Sequence, residues 1–201
     1  ILVVGENLAP GLWRKAGGSE LSEDQLRTWL ANILFGAYAR GAMKDRVMVE
    51  PRIYPDPVFA QLWQDGLCDL RIITLDASPV MAMVRVPTAQ SDGKANLHQG
   101  GIGLAVDLDS GRVDRAVCAR RFLTHHPDSG VPLVGMQLPL WQETLATAVK
   151  AAQAVPLGFL GVDVVVDRHL GPLVLEINAR PGLEIQNVNQ RGLGLALEEV
   201  A

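Results

Sequence analysis

The sequence predicts an α+β layered domain. Two observations carry this. An amphipathic helix pattern near residue 26 precedes a group of short apolar strands, and a second one near residue 140 precedes a hairpin. Strands are grouped rather than alternating one by one with helices, which favours antiparallel pairing in a layered sheet.

The elements follow in order. Ile1-Leu2-Val3-Val4-Gly5 reads as a strand entered midway, and the lack of a leading Met suggests a fragment. Residues 6–20 are polar and Gly-containing and read as a loop. Ser22-Glu23-Asp24-Gln25 is a capping box with acids in the first turn, where the helix dipole favours them. Leu26, Trp29, Leu30, Ile33, Leu34 and Ala37 recur on one helix face, so their apolar side chains are expected in the core. Val47–Glu50 reads as a short strand, broken by Pro51, Pro55 and Pro57. A brief helix is expected over Val58–Gln64. Strands follow at about 68–75, 79–86, 102–107 and 112–118, with turns at Asp76-Ala77-Ser78 and Asp109-Ser110-Gly111. A loop over residues 122–137 leads to the second helix, marked by Leu140, Trp141, Leu145, Ala148, Val149 and Ala152. Residues 183–201 read as a loop and a weak helix.

The hairpin carries the chemistry. Val164-Val165-Val166 and Leu173-Val174-Leu175 flank the turn Asp167-Arg168-His169-Leu170-Gly171. Strand side chains alternate faces, so Glu176 and Asn178 share one. If Asp167 and Pro172 close the turn, Asp163 stands opposite Glu176. Two carboxylates and a carboxamide then share one face. Such hard oxygen donors suit Mg²⁺, which keeps waters and binds substrate phosphates. A solvated strand end is the plainer alternative.

Composition narrows the classes. The chain has 201 residues, 48% of them apolar, enough for one large domain or two small lobes. A net charge of −4 gives no nucleic-acid footprint. Cys68 and Cys118 form no CxxC pair and suit reduced thiols of a cytoplasmic protein. No apolar run has the length of a membrane span. No Gly-x-Ser-x-Gly or Cys–His motif supplies a nucleophile.

Three segments carry a family resemblance. Glu176-Ile177-Asn178-Ala179-Arg180-Pro181-Gly182 resembles the metal-binding strand of ATP-grasp ligases, and Gly161-Val162-Asp163 their second ligand strand. Asn96-Leu97-His98-Gln99-Gly100-Gly101 is similar to the Asn-Leu-His-x-Gly-Gly loop of ribosomal-protein glutamate ligases. Asp69-Leu70-Arg71 with Met83-Val84-Arg85 looks like their paired arginine strands. His125–Gly130 and Glu176–Asn187 are similar to runs in the sugar-transfer-associated, or alpha-L-glutamate ligase-like, subgroup. The resemblance spans roughly Val47 to Leu193.

It implies an ATP-grasp fold, with residues 1–46 as the remainder of an N-terminal lobe and 47–201 as a C-terminal lobe with the metal site. It implies ATP and Mg²⁺ or Mn²⁺ as cofactors, with Asp163, Glu176 and Asn178 as metal ligands. Glu50 and Ile53 fall at the adenine hinge, Asp56 near the ribose, and Arg71 near the triphosphate. Arg85, Arg180 and Asn96 take catalytic roles, with Arg85 favoured over Arg71 at the phosphates. The Asp92–Gly103 loop could close over substrate. The family's Val-x-Lys-Pro strand and its preceding Gly-rich stretch are not found, so the chain is expected to lack part of its nucleotide site and its N-terminal fold. The leading expectation is a carboxylate–amine ligase acting through an acyl phosphate, on small-molecule substrates or a saccharide- or peptide-linked acceptor. An ATP-binding module without turnover, or a kinase acting on a hydroxyl, are the alternatives.

Overall fold

The computed structural model describes residues 4–15, 18–38, 45–64 and 66–200. The chain divides into two compact units, Ile1–Ile53 and Tyr54–Ala201.

In the N-terminal unit, β1 (Val4–Ala9), β2 (Leu12–Lys15) and β3 (Glu20–Ser22) form an antiparallel sheet in that order. The loop expected over residues 6–20 is therefore corrected to strands. The missed signal is Pro10-Gly11. Gly11 adopts φ +73°, which a Pro-Gly turn requires, and it brings Ala9 opposite Leu12. Helix α1 (Glu23–Leu34) starts at the expected capping box. Ser22 Oγ accepts from the Gln25 N–H at 3.2 Å, and Gln25 Oε1 accepts from the Ser22 N–H at 3.0 Å. None of its residues is buried, so the core expected around Trp29 does not form within this unit. Three short strands offer too little apolar surface to cover it. Val47–Glu50, expected as a strand, has no regular structure.

The C-terminal unit is built on a seven-stranded sheet. After a short helix α2 (Pro57–Ala60) come β4 (Asp69–Leu75), β5 (Ser78–Val86), β6 (Ile102–Val106), β7 (Val113–Cys118) and β8 (Arg121–Leu123). Helix α3 (Trp141–Gln153) leads to β9 (Phe159–Asp167) and β10 (Gly171–Asn178), then α4 (Glu184–Asn189) and α5 (Leu193–Glu198). The strand order is β10-β9-β4-β5-β6-β7-β8, and every neighbouring pair is antiparallel. The start of the expected 122–137 loop is corrected to strand β8, which pairs with β7 across Ala119-Arg120. Among the described residues, no helix is long and apolar enough to cross a membrane.

Alternation splits the sheet into two faces. Leu70, Ile72, Val84, Leu104, Val162 and Val164 pack with Trp141 and Ala148 of α3. Trp141 fixes its helix by donating from Nε1 to the Leu108 carbonyl at 2.8 Å. On the other face Ile73, Met81, Met83 and Ala105 pack with Ile185 and Val188 of α4 and Leu193 and Ala196 of α5. Fully burying each aliphatic side chain contributes about 1.5–3 kcal/mol, so both layers hold the sheet. Helices α4 and α5 cover only part of their face. The charged residues lie on the rest of it.

Candidate functional site

The late hairpin β9–β10 docks against β4, the first strand of the unit, and this places the site. Arg71 pairs with Asp163 across β4–β9, and Asp163 with Glu176 across β9–β10. Asp69 pairs with Arg85 across β4–β5. Arg71 also stands opposite Met83, so Glu176, Asp163, Arg71 and Met83 form one cross-strand row.

The expected opposition of Asp163 and Glu176 holds, by a different route. The turn closes on Asp167 and Gly171 rather than Pro172, which by itself would bring Leu175 opposite Asp163. A bulge between Val174 and Glu176 absorbs one residue and restores the alignment. A bulge shifts every later side chain by one register position, and so re-aims it. The Asp167 carboxylate fixes the turn. It accepts from the backbone N–H groups of Tyr54 at 2.7 Å, His169 at 2.8 Å and Leu170 at 3.0 Å, and these bonds hold its pKa low.

Asp163 is the hub, with a side chain 1% exposed. Its Oδ1 accepts from Arg71 Nε at 2.8 Å. Its Oδ2 accepts from Arg71 Nη2 at 2.6 Å and Arg85 Nη2 at 2.7 Å. Asn178 Nδ2 reaches that oxygen at 3.5 Å and Glu176 Oε1 at 3.0 Å. Burial pushes the Asp163 carboxyl up, but the bonds from Arg71 and the charges of Arg85 and Arg71 outweigh it and hold it below its ordinary value. Asp69 accepts from Arg85 Nε at 2.5 Å. Burial lifts Asp69 to about 6 although Arg85 lies against it.

Asp69 joins this network although the sequence expectations give it no site role. The signal was available: alternation puts Asp69 and Arg71 on one face. Arg71 grips Asp163 with two bonds and Arg85 with one.

Gly161 lies two residues before Asp163 on β9, where a neighbour comes close. A Cβ there would lie 2.5 Å from Pro181 Cβ. Its absence lets the Ala179-Arg180-Pro181-Gly182 turn pack onto β9. Arg180 is exposed and makes no ion pair among the described residues, Glu184 included.

Other expected residues have local roles. Asn96 Oδ1 accepts from the His98 N–H at 3.0 Å and caps a 3₁₀ turn over Leu97–Gln99. Asp56 caps α2 through the Val58 N–H at 2.9 Å. Glu50 and Ile53 fall in the N-terminal unit, in a segment without regular structure. The Asp92–Gly103 loop is tied at its stem. Thr88 Oγ1 donates to the Gly100 carbonyl at 2.9 Å, and Asp128 accepts from the Ala89 N–H at 2.9 Å. Buried His126 adds a bond to the Pro87 carbonyl at 2.9 Å.

The donor set fits a hard cation. Two carboxylates and a carboxamide converge; the carboxamide turns its Nδ2 to both carboxylates here, and a half-turn about its last bond would offer its oxygen to a cation instead. Among the described residues, no three or more His, Cys, Asp or Glu side chains are grouped so as to hold a metal ion by themselves. Two carboxylates suit a cation that completes its shell with water and phosphate rather than a closed protein cage.

The antiparallel sheets with packed helices accord with an ATP-grasp fold. Residues 1–201 match the sugar-transfer-associated ATP-grasp family throughout, and the chain belongs to that family. It is similar to curated proteins named probable alpha-L-glutamate ligase. The one from Maridesulfovibrio salexigens is 28% identical over 116 residues, 58% of this chain and 27% of the relative. That from Thioalkalivibrio sulfidiphilus is 31% identical over 119 residues, 59% of this chain and 28% of the relative. That from Saccharophagus degradans is 28% identical over 135 residues, 67% and 34% of the two chains. The chain thus spans between a quarter and about a third of the relatives' length.

Proposed function

We propose that this chain carries the metal- and phosphoryl-handling face of an ATP-dependent carboxylate–amine ligase. The observation that carries the reading is the convergence of Asp163, Glu176 and Asn178 with Arg71 and Arg85 on one sheet face. Family membership supports ATP as co-substrate, and the relatives' names support glutamate as one substrate.

In this reading the substrate carboxylate takes the γ-phosphoryl group of ATP, leaving ADP. The amine then attacks the acyl carbon of the acyl phosphate. Phosphate leaves, the nitrogen loses a proton, and an amide forms. Asp163, Glu176 and Asn178 would hold Mg²⁺ or Mn²⁺, which neutralises phosphate charge. Arg71 and Arg85 supply planar forks that match phosphoryl oxygens. Exposed Arg180 offers a further positive charge at the edge of the same strand. Use of ATP accords with a cytoplasmic setting.

The test uses the full-length protein with ATP, Mg²⁺, glutamate and a panel of amine and saccharide-linked acceptors. ADP release together with an amide product by mass spectrometry is expected. Glu176→Gln should lower turnover at least about a hundredfold, as loss of a transition-state electrostatic partner does. Its thermal melt should stay near wild type, because Glu176 is exposed. A phosphorylated alcohol would instead make the enzyme a kinase, and no ADP at all would make the domain a binding module.

A further inference from the structure

The two arginines hold Asp163 in different ways. A cation held by Asp163, Glu176 and Asn178 would take up lone pairs of the Asp163 carboxylate. A carboxylate oxygen has two lone-pair sites. Oδ2 accepts from Arg71 Nη2 at 2.6 Å, Arg85 Nη2 at 2.7 Å and Asn178 Nδ2 at 3.5 Å, and Oδ1 accepts from Arg71 Nε at 2.8 Å. A cation at the crowded Oδ2 would therefore compete with the guanidinium groups, and Arg71 is the one whose fork spans both oxygens.

Arg85 has an independent anchor, its Nε bond to Asp69 at 2.5 Å, and it stands opposite Asp69 in the strand register. Arg71 has no such anchor. Both of its hydrogen bonds go to Asp163. Its Nη1 lies beside Gly182, where even an added Cβ would stand 3.8 Å away. Gly182 itself presents no side chain to it.

We propose that Arg71 is a displaceable counter-ion, released from Asp163 when a divalent cation takes that carboxylate, while Arg85 stays fixed by Asp69. This rests on the ligase reading above. It has a consequence for order of binding. A cation alone must break the Arg71 fork without compensation. With a nucleotide present, the freed guanidinium finds phosphate oxygens instead. Cation and nucleotide therefore bind with positive coupling, and the coupling is reciprocal.

The test is Mn²⁺ binding by electron paramagnetic resonance on the full-length protein, with and without a non-hydrolysable ATP analogue. Wild type should bind Mn²⁺ weakly alone and more tightly with the analogue. Arg71→Met should tighten binding of Mn²⁺ alone by at least about tenfold, because the competing charge-assisted fork is gone, and should reduce the coupling. Arg71→Lys keeps the charge and favours a folded protein, but a single ammonium cannot reproduce the fork. It should also tighten Mn²⁺ binding, by a smaller factor. Arg85→Met removes the same charge and should have a smaller effect than Arg71→Met. The proposal is overturned if Arg71→Lys binds Mn²⁺ no better than wild type, or if Arg71→Met and Arg85→Met raise the affinity equally, since that is a general field effect. Failure of every variant to bind Mn²⁺ with the analogue present overturns this proposal and the ligase reading together. Analogue-dependent binding that is indifferent to Arg71 overturns this proposal alone.

Discussion

Replacing Asp163 with Asn tests the central ion network through stability. Asp163 receives three guanidinium N–H bonds on a side chain 1% exposed, and Arg71 and Arg85 are themselves mostly covered. An amide keeps one acceptor oxygen and turns an N–H donor toward the Arg71 fork. That strands part of a guanidinium charge in a covered site. Breaking a buried ion pair by removing one partner costs about 3–5 kcal/mol. At roughly 2–4 °C per kcal/mol for a domain of this size, the melting temperature should fall by about 6–20 °C at pH 7. Calorimetry in the presence of a chelator keeps cation binding out of the comparison. The acid limb supplies a second readout. The folded state holds the Asp163 pKa below its ordinary value. Its stabilisation is therefore present above the unfolded carboxylate range and is lost as pH falls through the folded value. Wild type and Asp163→Asn should converge as pH drops. A variant melting within about 2 °C of wild type at pH 7, or a gap that does not narrow in acid, would refute the reasoning.

Gly161→Ala should cost about 1–3 kcal/mol by overpacking against Pro181, read as a lowered melting temperature; an unchanged melt means the turn does not sit as described. The Asp69 carboxyl carbon should titrate by NMR with a midpoint of about 6, and an ordinary midpoint near 4 would remove burial as the dominant influence. Because that folded value is raised, the contribution of Asp69 to stability is largest below the unfolded carboxylate range and declines as pH rises toward about 6. Ser22→Ala should cost about 1 kcal/mol of α1 stability, seen as faster hydrogen exchange at the Gln25 amide, which donates to Ser22 Oγ.

What the sequence determined by itself is what lies within a few residues. The Ser22–Gln25 capping box, the period of α3, the four central strands and the hairpin all rest on contacts between near neighbours, and the structure has them. Alternation also put Glu176 and Asn178 on one face, because period two follows from backbone geometry alone. The Pro10-Gly11 turn was equally local and could have been read. The tertiary structure decided the rest. Arg71 reaches Asp163 across 92 residues and Arg85 reaches it across 78. Those pairs exist because β9 docks beside β4, and no spacing along the chain encodes strand order. The bulge between Val174 and Glu176 depends on how β10 settles along its neighbour, so the right opposition was reached from the wrong closing residue. Trp29 and Trp141 carry the same kind of helical stripe, yet only Trp141 reaches a core. A stripe announces a face to be covered; what covers it is a property of the assembled sheet.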